Sequence, residues 1–520
     1  MFNYLKITSI SIIVLLIGST TVLKNCSGKT EPTAANTENK QNTPNIVVFY
    51  VDDLGYGDLS SYGAVGVQTP NVDRLAENGI KFTDAHSSAA TCTPSRYSLL
   101  TGQYAFRNNA AILPGDAPLL IRPDTPTLPS MLKKEGYKTA VIGKWHLGLG
   151  NGSINWNTEV KPGPLEIGFD YSFLLPATGD RVPTVYLENH NVVNINPNDS
   201  LLISYKNPIG DNPTGISNPE LLRQKADKQH SNAIVNGISR IGYQDGGDEA
   251  MWVDEEFPDV FTNKAKEFIN NNKDNPFFLF FSFHDIHVPR LPNKRFQGKS
   301  TMGPRGDAIA QMDWMTGTII EELERLGLDK NTLVIFTSDN GPVLDDGYKD
   351  EAEEKLGDHK PSGPFRGGKY SAFESGTRVP MITYWPETIK PGESDALISQ
   401  TDYYASFASL LNISLDKKEA VDSQNVLNAL LNYNSDARQV MLEESLTLSL
   451  RYRNWKYIMP FRNKPIPNWF SNKKIETGFD KTPQLYNLNV DINEQLNVAS
   501  KNKDLTDMMQ SKIDSIVKAH

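Results

Sequence analysis

The sequence is poor in cysteine and has a deficit of positive charge. Its 520 residues include only two cysteines, Cys26 and Cys92, and contain no His/Cys cluster with the spacing of a zinc site. Asp and Glu (62) outnumber Lys and Arg (52), so the net charge is −10. This balance argues against a nucleic-acid-binding protein. An acidic protein that handles an anionic ester needs a locally cationic pocket.

The sequence also lacks a hydrophobic run long enough to cross a membrane near its N-terminus. Residues 7–18 are uncharged, but a transmembrane helix needs about 20 apolar residues. The pattern predicts an export signal over residues 1–26. A leucine three residues before Cys26 indicates a lipoprotein signal with a lipid anchor, although the Lys-Asn pair between them fits poorly, so simple periplasmic release stays the alternative. Residues 27–43 are polar and predict a flexible tether.

Four continuous apolar runs predict buried strands of a parallel sheet. Helical patterns precede three of them, and this alternation predicts an α/β domain with a large, mostly parallel sheet flanked by helices over residues 44–395. The strand runs are 45–51, 137–143, 276–283 and 332–337, and the helical patterns are 128–135, 261–272 and 308–326.

The character of the chain changes after about residue 395. Alternating apolar and polar residues at 450–457 predict a half-buried antiparallel strand, and residues 505–517 predict a closing helix. We therefore predict a smaller C-terminal α+β domain with an antiparallel sheet over residues 396–520.

Polar side chains follow each predicted parallel strand, where ligands bind in open α/β sheets. Asp52 and Asp53 follow the first strand, and Asp339 and Asn340 follow the last. Carboxylate and amide oxygens suit Ca²⁺ or Mg²⁺. The alternative is that each Asp only caps a helix or forms a turn, but two such pairs favour a metal site.

The segment Cys92–Arg96, Cys-Thr-Pro-Ser-Arg, continues as Tyr-Ser-Leu-Leu-Thr-Gly. It resembles the signature of the formylglycine-dependent sulfatases of the alkaline phosphatase-like superfamily. The resemblance implies that a maturation enzyme oxidises Cys92 to an aldehyde. One hydroxyl of the hydrated aldehyde then attacks sulfur, and the other collapses to expel sulfate. The alternative is a buried structural cysteine before a proline turn.

The resemblance extends along residues 45–380 and implies a role for each further polar residue. One Ca²⁺ is held by Asp52, Asp53, Asp339, Asn340 and the modified Cys92, and Asp339 is also a candidate to accept the proton of the attacking hydroxyl. The cationic and imidazole side chains stabilise the negative charge of the ester. Arg96 orients the aldehyde hydrate, Lys144 contacts sulfate, His146 holds a hydroxyl of the diol, His287 faces the leaving-group oxygen, and Lys369 grips the bridging side of the sulfate.

Other polar residues carry weaker signals. Arg366 lies in a glycine-rich turn that can bring it to the substrate, whereas Arg378 is expected to form a structural ion pair. Residues 150–260 form a long polar stretch, of which Arg181 is a candidate to meet an anionic sugar. Residues 345–360 either line the pocket or form a solvated surface. His284 and Asp285 are as consistent with packing as with substrate contact.

The sequence thus predicts an exported sulfuric ester hydrolase, periplasmic or at the cell surface, that acts on a sulfated carbohydrate. Its partners are that substrate and the maturation enzyme, and the membrane is reached only through an anchor at Cys26. One alternative is a phosphodiester or phosphonate hydrolase on the same fold, although related phosphatases use two zinc ions. The other is a glycan-binding lipoprotein with an unmodified Cys92.

Overall fold

The computed structural model describes residues 43–462, 465–467 and 474–519. The predicted export signal and, apart from Thr43, the predicted tether lie outside these residues. Within them, no helix combines the length and apolar composition needed to cross a bilayer.

The strands are β1 Asn45–Val51, β2 Ile80–Phe82, β3 Ala85–His86, β4 Lys138–Lys144, β5 Tyr171–Leu175, β6 Leu187–Glu188, β7 Asn191–Val192, β8 Leu202–Ser204, β9 Ile234–Val235, β10 Ile238–Ser239, β11 Tyr243–Asp245, β12 Phe277–Ser282, β13 Thr332–Ser338, β14 Met381–Tyr384, β15 Gly392–Ser394, β16 Ile398–Ser399, β17 Val440–Glu444, β18 Leu448–Tyr452, β19 Trp455–Ile458 and β20 Gln484–Asn487. The helices are α1 Pro70–Glu77, α2 Cys92–Thr101, α3 Leu128–Lys134, α4 Phe257–Asn272, α5 Gly303–Arg325, α6 Tyr403–Leu410, α7 Leu427–Leu431 and α8 Lys503–Lys518.

A ten-stranded mixed sheet forms the centre of the protein, in the order β15-β2-β14-β13-β1-β12-β4-β5-β6-β7. The five strands from β13 to β5 are parallel to one another. Four of these five are the strands that the apolar runs predict, and β14 and β6 pair antiparallel at either side. The predicted α/β fold with a large, mostly parallel sheet is confirmed.

Both faces of the sheet are buried, which explains the continuous apolar runs. In β1, Val48 packs on one face with residues of α2, α3 and α6, whereas Val47 packs on the other with residues of α1, α4 and α5. Each fully buried aliphatic or aromatic side chain contributes about 1.5–3 kcal/mol relative to its exposed state. The layers therefore hold the strand ends in fixed positions.

The C-terminal residues form a separate antiparallel sheet, in the order β17-β18-β19-β20, which α8 covers. The small antiparallel sheet was predicted, but the single strand over 450–457 was wrong. The chain turns at Arg453, whose φ of 52° is left-handed, and β18 and β19 form a hairpin around it. The alternation of apolar and polar residues continues through this tight turn, so the sequence pattern does not indicate where the first strand of the hairpin ends. The domain boundary at residue 395 stays a prediction.

Candidate active site

Cys92 is the first residue of α2, a helix whose ten residues are all buried. The side chain is 2% exposed, and the helix is anchored by Ser95, whose hydroxyl donates to the Ala89 carbonyl at 2.8 Å. Burial raises the pKa of the Cys92 thiol to about 11, although Lys144 and Lys369 oppose the shift. The unmodified side chain is therefore a protonated thiol at neutral pH and a weak nucleophile.

Four oxygen-bearing side chains, which we call the acidic cluster, meet at the carboxyl ends of β1 and β13. Val51 pairs with Ser338 in the sheet, so Asp52 and Asp53 emerge beside Asp339 and Asn340. One carboxylate oxygen from each of the three aspartates lies within 4.8 Å of the other two. Asn340 Nδ2 donates to Asp53 Oδ1 at 2.8 Å.

The acidic cluster fits a hard divalent cation. Asp52 Oδ1 and Asn340 Oδ1 are buried and have no hydrogen-bond partner among the described residues, as expected for oxygens that serve as ligands. Burial and the neighbouring Asp339 raise the pKa of Asp52 well above its ordinary value, so a cation that binds here also relieves an unfavourable charge. The oxygens of the acidic cluster suit Ca²⁺ or Mg²⁺, although Cys92 and His287 each place a ligand atom within 4.8 Å of a carboxylate oxygen of Asp52.

Three buried cationic side chains surround the acidic cluster. Lys144 Nζ donates to Asp52 Oδ2, and Arg96 donates through Nε and Nη2 to Asp339 Oδ2 at 3.0 and 2.8 Å. Lys369 Nζ lies 2.8 Å from Asp53 Oδ2 and 2.9 Å from Asp346 Oδ2. These three cations are matched by four buried carboxylates, so the side chains alone give the site no excess of positive charge, and a bound divalent cation would supply one.

His146 and His287 have defined tautomers, because each ring contacts a main-chain carbonyl, which can only accept a hydrogen bond. His146 Nε2 donates to the Leu113 carbonyl at 3.0 Å, and its buried Nδ1 is an acceptor without a partner among the described residues. His287 Nδ1 donates to the Val288 carbonyl at 2.7 Å, which leaves Nε2 as an acceptor 3.9 Å from Asp53 Oδ2. Burial and nearby cationic groups lower the pKa of both rings well below the ordinary value. Both are therefore neutral at neutral pH.

A cavity of about 490 Å³ opens above these residues. Cys92, His146, His287 and Lys369 line it together with an apolar segment, 110–114. The remaining predicted site residues, Arg96, Lys144 and the acidic cluster, do not line the cavity. Arg96 and Lys144 bind the acidic cluster, whose Asp53 contacts Lys369. The structure therefore brings together all ten residues singled out by the sequence. Further lining residues that the sequence analysis did not select are Asp346, Tyr205, Gln229, His230, Tyr370 and Glu444.

One side of the cavity is formed by Asp180, Arg181 and His230, which we call the side wall. Arg181 Nη1 lies 2.9 Å from Asp180 Oδ1, and His230 Nε2 lies 3.3 Å from Asp180 Oδ2. His230 Nδ1 also lies 2.7 Å from Asp227 Oδ1. Burial alone raises the pKa of Asp180, but Arg181 and His230 outweigh it and hold that pKa well below its ordinary value. The charges of the side wall are thus paired with one another, in contrast to an anion site.

Four residues with weaker signals do not line the cavity. Arg366 pairs with Glu476, and Arg378 pairs with Glu374 and Asp84 as a structural ion pair. The His284 ring packs against Phe257, and Asp285 accepts a hydrogen bond from Gln311 at 3.0 Å. Of the charged loop 345–360, Asp346 lines the cavity. In the sequence, the only indication that Asp346 belongs to the site is its position in a charged run.

Comparisons with known proteins agree with this geometry. Residues 44–413 match the family model described as Sulfatase. The chain is 46% identical over 512 residues to an N-acetylgalactosamine-6-O-sulfatase of Bacteroides thetaiotaomicron, with 98% of this chain and 99% of that protein covered. It is 31% identical over 420 residues to the steryl-sulfatase of Rattus norvegicus, with 75% and 70% covered.

A solved structure from Bacteroides thetaiotaomicron, from work on its metabolism of multiple glycosaminoglycans, superposes with a TM-score of 0.89 at 48% identity. The match covers 91% of this chain and 99% of that one. A sulfatase from Pseudoalteromonas superposes with a TM-score of 0.68 at 27% identity, with 92% and 90% covered.

Proposed function

The chain belongs to the sulfatase family and hydrolyses a sulfate ester, and we propose that its substrate is a 6-sulfated N-acetylgalactosamine unit of a glycosaminoglycan fragment. The observation that carries this proposal is the 46% identity, over nearly the whole of both chains, to a protein of that specificity. The two alternatives from the sequence, a phosphodiester or phosphonate hydrolase and a non-enzymatic lipoprotein, lack such support.

The cavity supports a sugar as the group that carries the sulfate. The side wall offers Arg181 as a donor and Asp180 as an acceptor, and these two charges cancel. Both ring nitrogens of His230 contact carboxylates, those of Asp180 and Asp227, so this ring holds Asp180 in place. Oriented donors and acceptors without net charge suit the hydroxyls of a neutral sugar better than a second anionic group. The apolar segment 110–114 offers a surface for the less polar face of a pyranose ring.

We further propose that a maturation enzyme converts Cys92 to formylglycine, which supplies a hydrated aldehyde as the nucleophile for attack on sulfur. The raised pKa of the unmodified thiol supports this, because a protonated thiol attacks poorly. Cys92 begins α2 and so presents its side chain at the positive end of the helix, where an anionic sulfate is favoured.

The acidic cluster is proposed to hold one Ca²⁺, together with the modified Cys92. When bound, the ion supplies Lewis acidity toward the sulfate oxygens. Lys144 and Lys369 add positive charge where charge develops in the transition state. Arg96 fixes Asp339, the candidate proton acceptor for the attacking hydroxyl, through two hydrogen bonds.

The histidines handle protons at defined atoms. His146 Nδ1 is a free acceptor, because its Nε2 proton is held by the Leu113 carbonyl, and it suits the removal of a proton from a hydroxyl carried by residue 92. His287 Nε2 is unprotonated in the structure described here. An anionic sulfate beside it raises the pKa of the ring, because an opposite charge favours the imidazolium. Substrate binding thus favours the form that donates to the leaving-group oxygen.

We also propose that the protein is exported and acts in the periplasm or at the cell surface, with Cys26 as the lipid attachment site. The uncharged segment 7–18 and the leucine before Cys26 support this proposal.

The substrate proposal is tested by measuring sulfate release by the matured protein from N-acetylgalactosamine 6-sulfate. The controls are N-acetylgalactosamine 4-sulfate, N-acetylglucosamine 6-sulfate and the 6-phosphate of the same sugar. We expect release from the first compound at the highest kcat/KM. Release from the 4-sulfate or the phosphate with none from the 6-sulfate would contradict the proposal.

A further inference from the structure

The side wall is held by a buried ion pair that does not itself line the cavity. Arg240 is fully buried, and its Nη2 donates to both carboxylate oxygens of Asp254, at 2.9 and 2.7 Å. The guanidinium lies 5.7 Å from the centre of the Trp252 ring, whose Nε1 donates to Asp254 Oδ1 at 3.3 Å. This geometry leaves Nη1 of Arg240 directed away from Asp254.

Nη1 donates to the carbonyl of Gly179, the residue directly before Asp180 and Arg181, whereas Nε has no hydrogen-bond partner among the described residues. The main chain of Arg240 also pairs with the segment that follows His230, because Asn232 N donates to Arg240 O at 3.0 Å and Arg240 N donates to Ala233 O at 2.8 Å. One residue therefore connects both halves of the side wall, the turn at 179–181 and the segment at 230–233.

The turn at Gly179 tolerates little displacement. A Cβ at this position would lie 2.5 Å from Cε1 of His284, so the imidazole ring is packed directly on the glycine. On the other side of the turn, Ile241 N donates to the Asp180 carbonyl at 2.8 Å. The hydrogen bond from Arg240 and the ring of His284 thus fix the position of the turn together.

We propose that Arg240, held by Asp254, is a positioning residue for the side wall and sets the selectivity of the enzyme for a sugar sulfate over a sulfate ester without a sugar. The inference rests on the proposed function in that it takes the side wall as the sugar-binding surface. A shift of the turn moves Asp180 and Arg181 away from the sugar hydroxyls, and a misplacement of about 1 Å is enough to cost a large factor in rate. The acidic cluster lies at the ends of β1 and β13, and Cys92 begins α2, so both are expected to keep their geometry.

The test uses the double variant Arg240→Met/Asp254→Leu, because removing both charges avoids an unpaired buried ion. We measure kcat and KM on N-acetylgalactosamine 6-sulfate and on 4-nitrophenyl sulfate, which has no sugar. We expect the ratio of the two kcat/KM values to fall about ten-fold or more through a higher KM for the sugar sulfate. The aryl sulfate is expected to change by less than about two-fold, because it does not use the side wall.

A second buried pair provides the matched control. Arg438 donates through Nε and Nη2 to Asp402, and both side chains are at most 3% exposed. Neither residue lines the cavity. The variant Arg438→Met/Asp402→Leu is expected to lower thermal stability by a similar amount and to leave the substrate ratio unchanged. If the Arg240 double variant does not fold, Arg240→Lys takes its place, because lysine lacks the planar fork that holds Asp254 and the Gly179 carbonyl on separate nitrogens.

The outcomes are distinct. A wild-type enzyme that hydrolyses the aryl sulfate and not the sugar sulfate contradicts the proposed function and this inference with it. A wild-type enzyme that hydrolyses both, with a ratio that the Arg240 variant leaves within about two-fold, overturns this inference alone. An equal fall of the ratio in the Arg438 control also overturns it, since the effect would then reflect general destabilisation.

Discussion

The acidic cluster and the side wall are built in different ways. The side wall lines the cavity, whereas the acidic cluster contacts groups that line it. Every member of the acidic cluster follows a parallel strand of the ten-stranded sheet, so its position is set by buried backbone pairing. The side wall comes from the segment between β5 and α4, where the strands are two or three residues long. The proposed metal site thus lies on long paired strands, and the proposed sugar-binding surface on loops that are held by separate backbone and side-chain hydrogen bonds.

This contrast predicts that changes at the acidic cluster reduce the hydrolysis of all sulfate esters, whereas changes at the side wall reduce only that of sugar sulfates. Each comparison below therefore uses N-acetylgalactosamine 6-sulfate beside 4-nitrophenyl sulfate. The thermal unfolding midpoint is measured in parallel to separate loss of function from loss of fold.

The largest effect is expected from Cys92→Ala, which removes the nucleophile. We expect kcat/KM for both substrates to fall by about 10³-fold or more, with a loss of stability of only ~1 kcal/mol. Ser98→Ala is the matched control, because Ser98 lies in the same buried helix and its hydroxyl has no partner among the described residues. Activity of the Cys92 variant close to wild type would exclude the covalent mechanism.

The next effect is expected from removal of the metal ion. A chelator should reduce turnover of both substrates and lower the unfolding midpoint, because an ion bound at 100 times its Kd stabilises the folded state by ~2.7 kcal/mol. Readdition of Ca²⁺ should restore both quantities. The variant Asp52→Asn should respond less to the chelator, since it lacks one charged ligand. If neither activity nor stability responds in the wild type, the acidic cluster is not a metal site.

The difference between the two regions also explains which parts of the fold and of the site can be predicted from the sequence. Continuous apolar runs at 45–51 and 332–337 predict buried parallel strands, and topology then brings Asp52, Asp53, Asp339 and Asn340 to one edge of the sheet. The resemblance in the segment Cys92–Arg96 indicates Cys92 as the nucleophile, which stays a prediction. These parts of the fold and site are predictable because each strand or motif is encoded locally, and the parallel pairing of buried strands then brings distant strand ends to one edge.

The side wall was not predictable in the same way. Arg181 stood out as a charge in an apolar neighbourhood, but the sequence does not reveal that Asp180 neutralises it or that His230 meets it from a distant segment. Such pairs depend on the path of loops without periodicity. The pairing of Arg181 with Asp180 favours a neutral sugar over an anionic one at this residue, and its contact with the substrate stays a prediction.

The smallest predicted effect is a pH dependence that arises in the side wall. Burial alone lowers the pKa of His230, but hydrogen bonds with Asp180 and Asp227 outweigh it and raise that pKa above the ordinary value. The doubly protonated ring donates to both carboxylates, and the neutral ring donates to only one. The stabilising contribution of the His230 ring is therefore complete below the ordinary histidine pKa and is lost as the pH rises through the raised pKa.

We expect KM for the sugar sulfate to increase by a few-fold over that pH interval, while KM for 4-nitrophenyl sulfate shows no matching step. His230→Gln should abolish the step, because the amide does not titrate. A step of equal size with both substrates, or one that survives in His230→Gln, would place the titrating group at the acidic cluster and its histidines instead, and the distinction between the two regions would fail at this point.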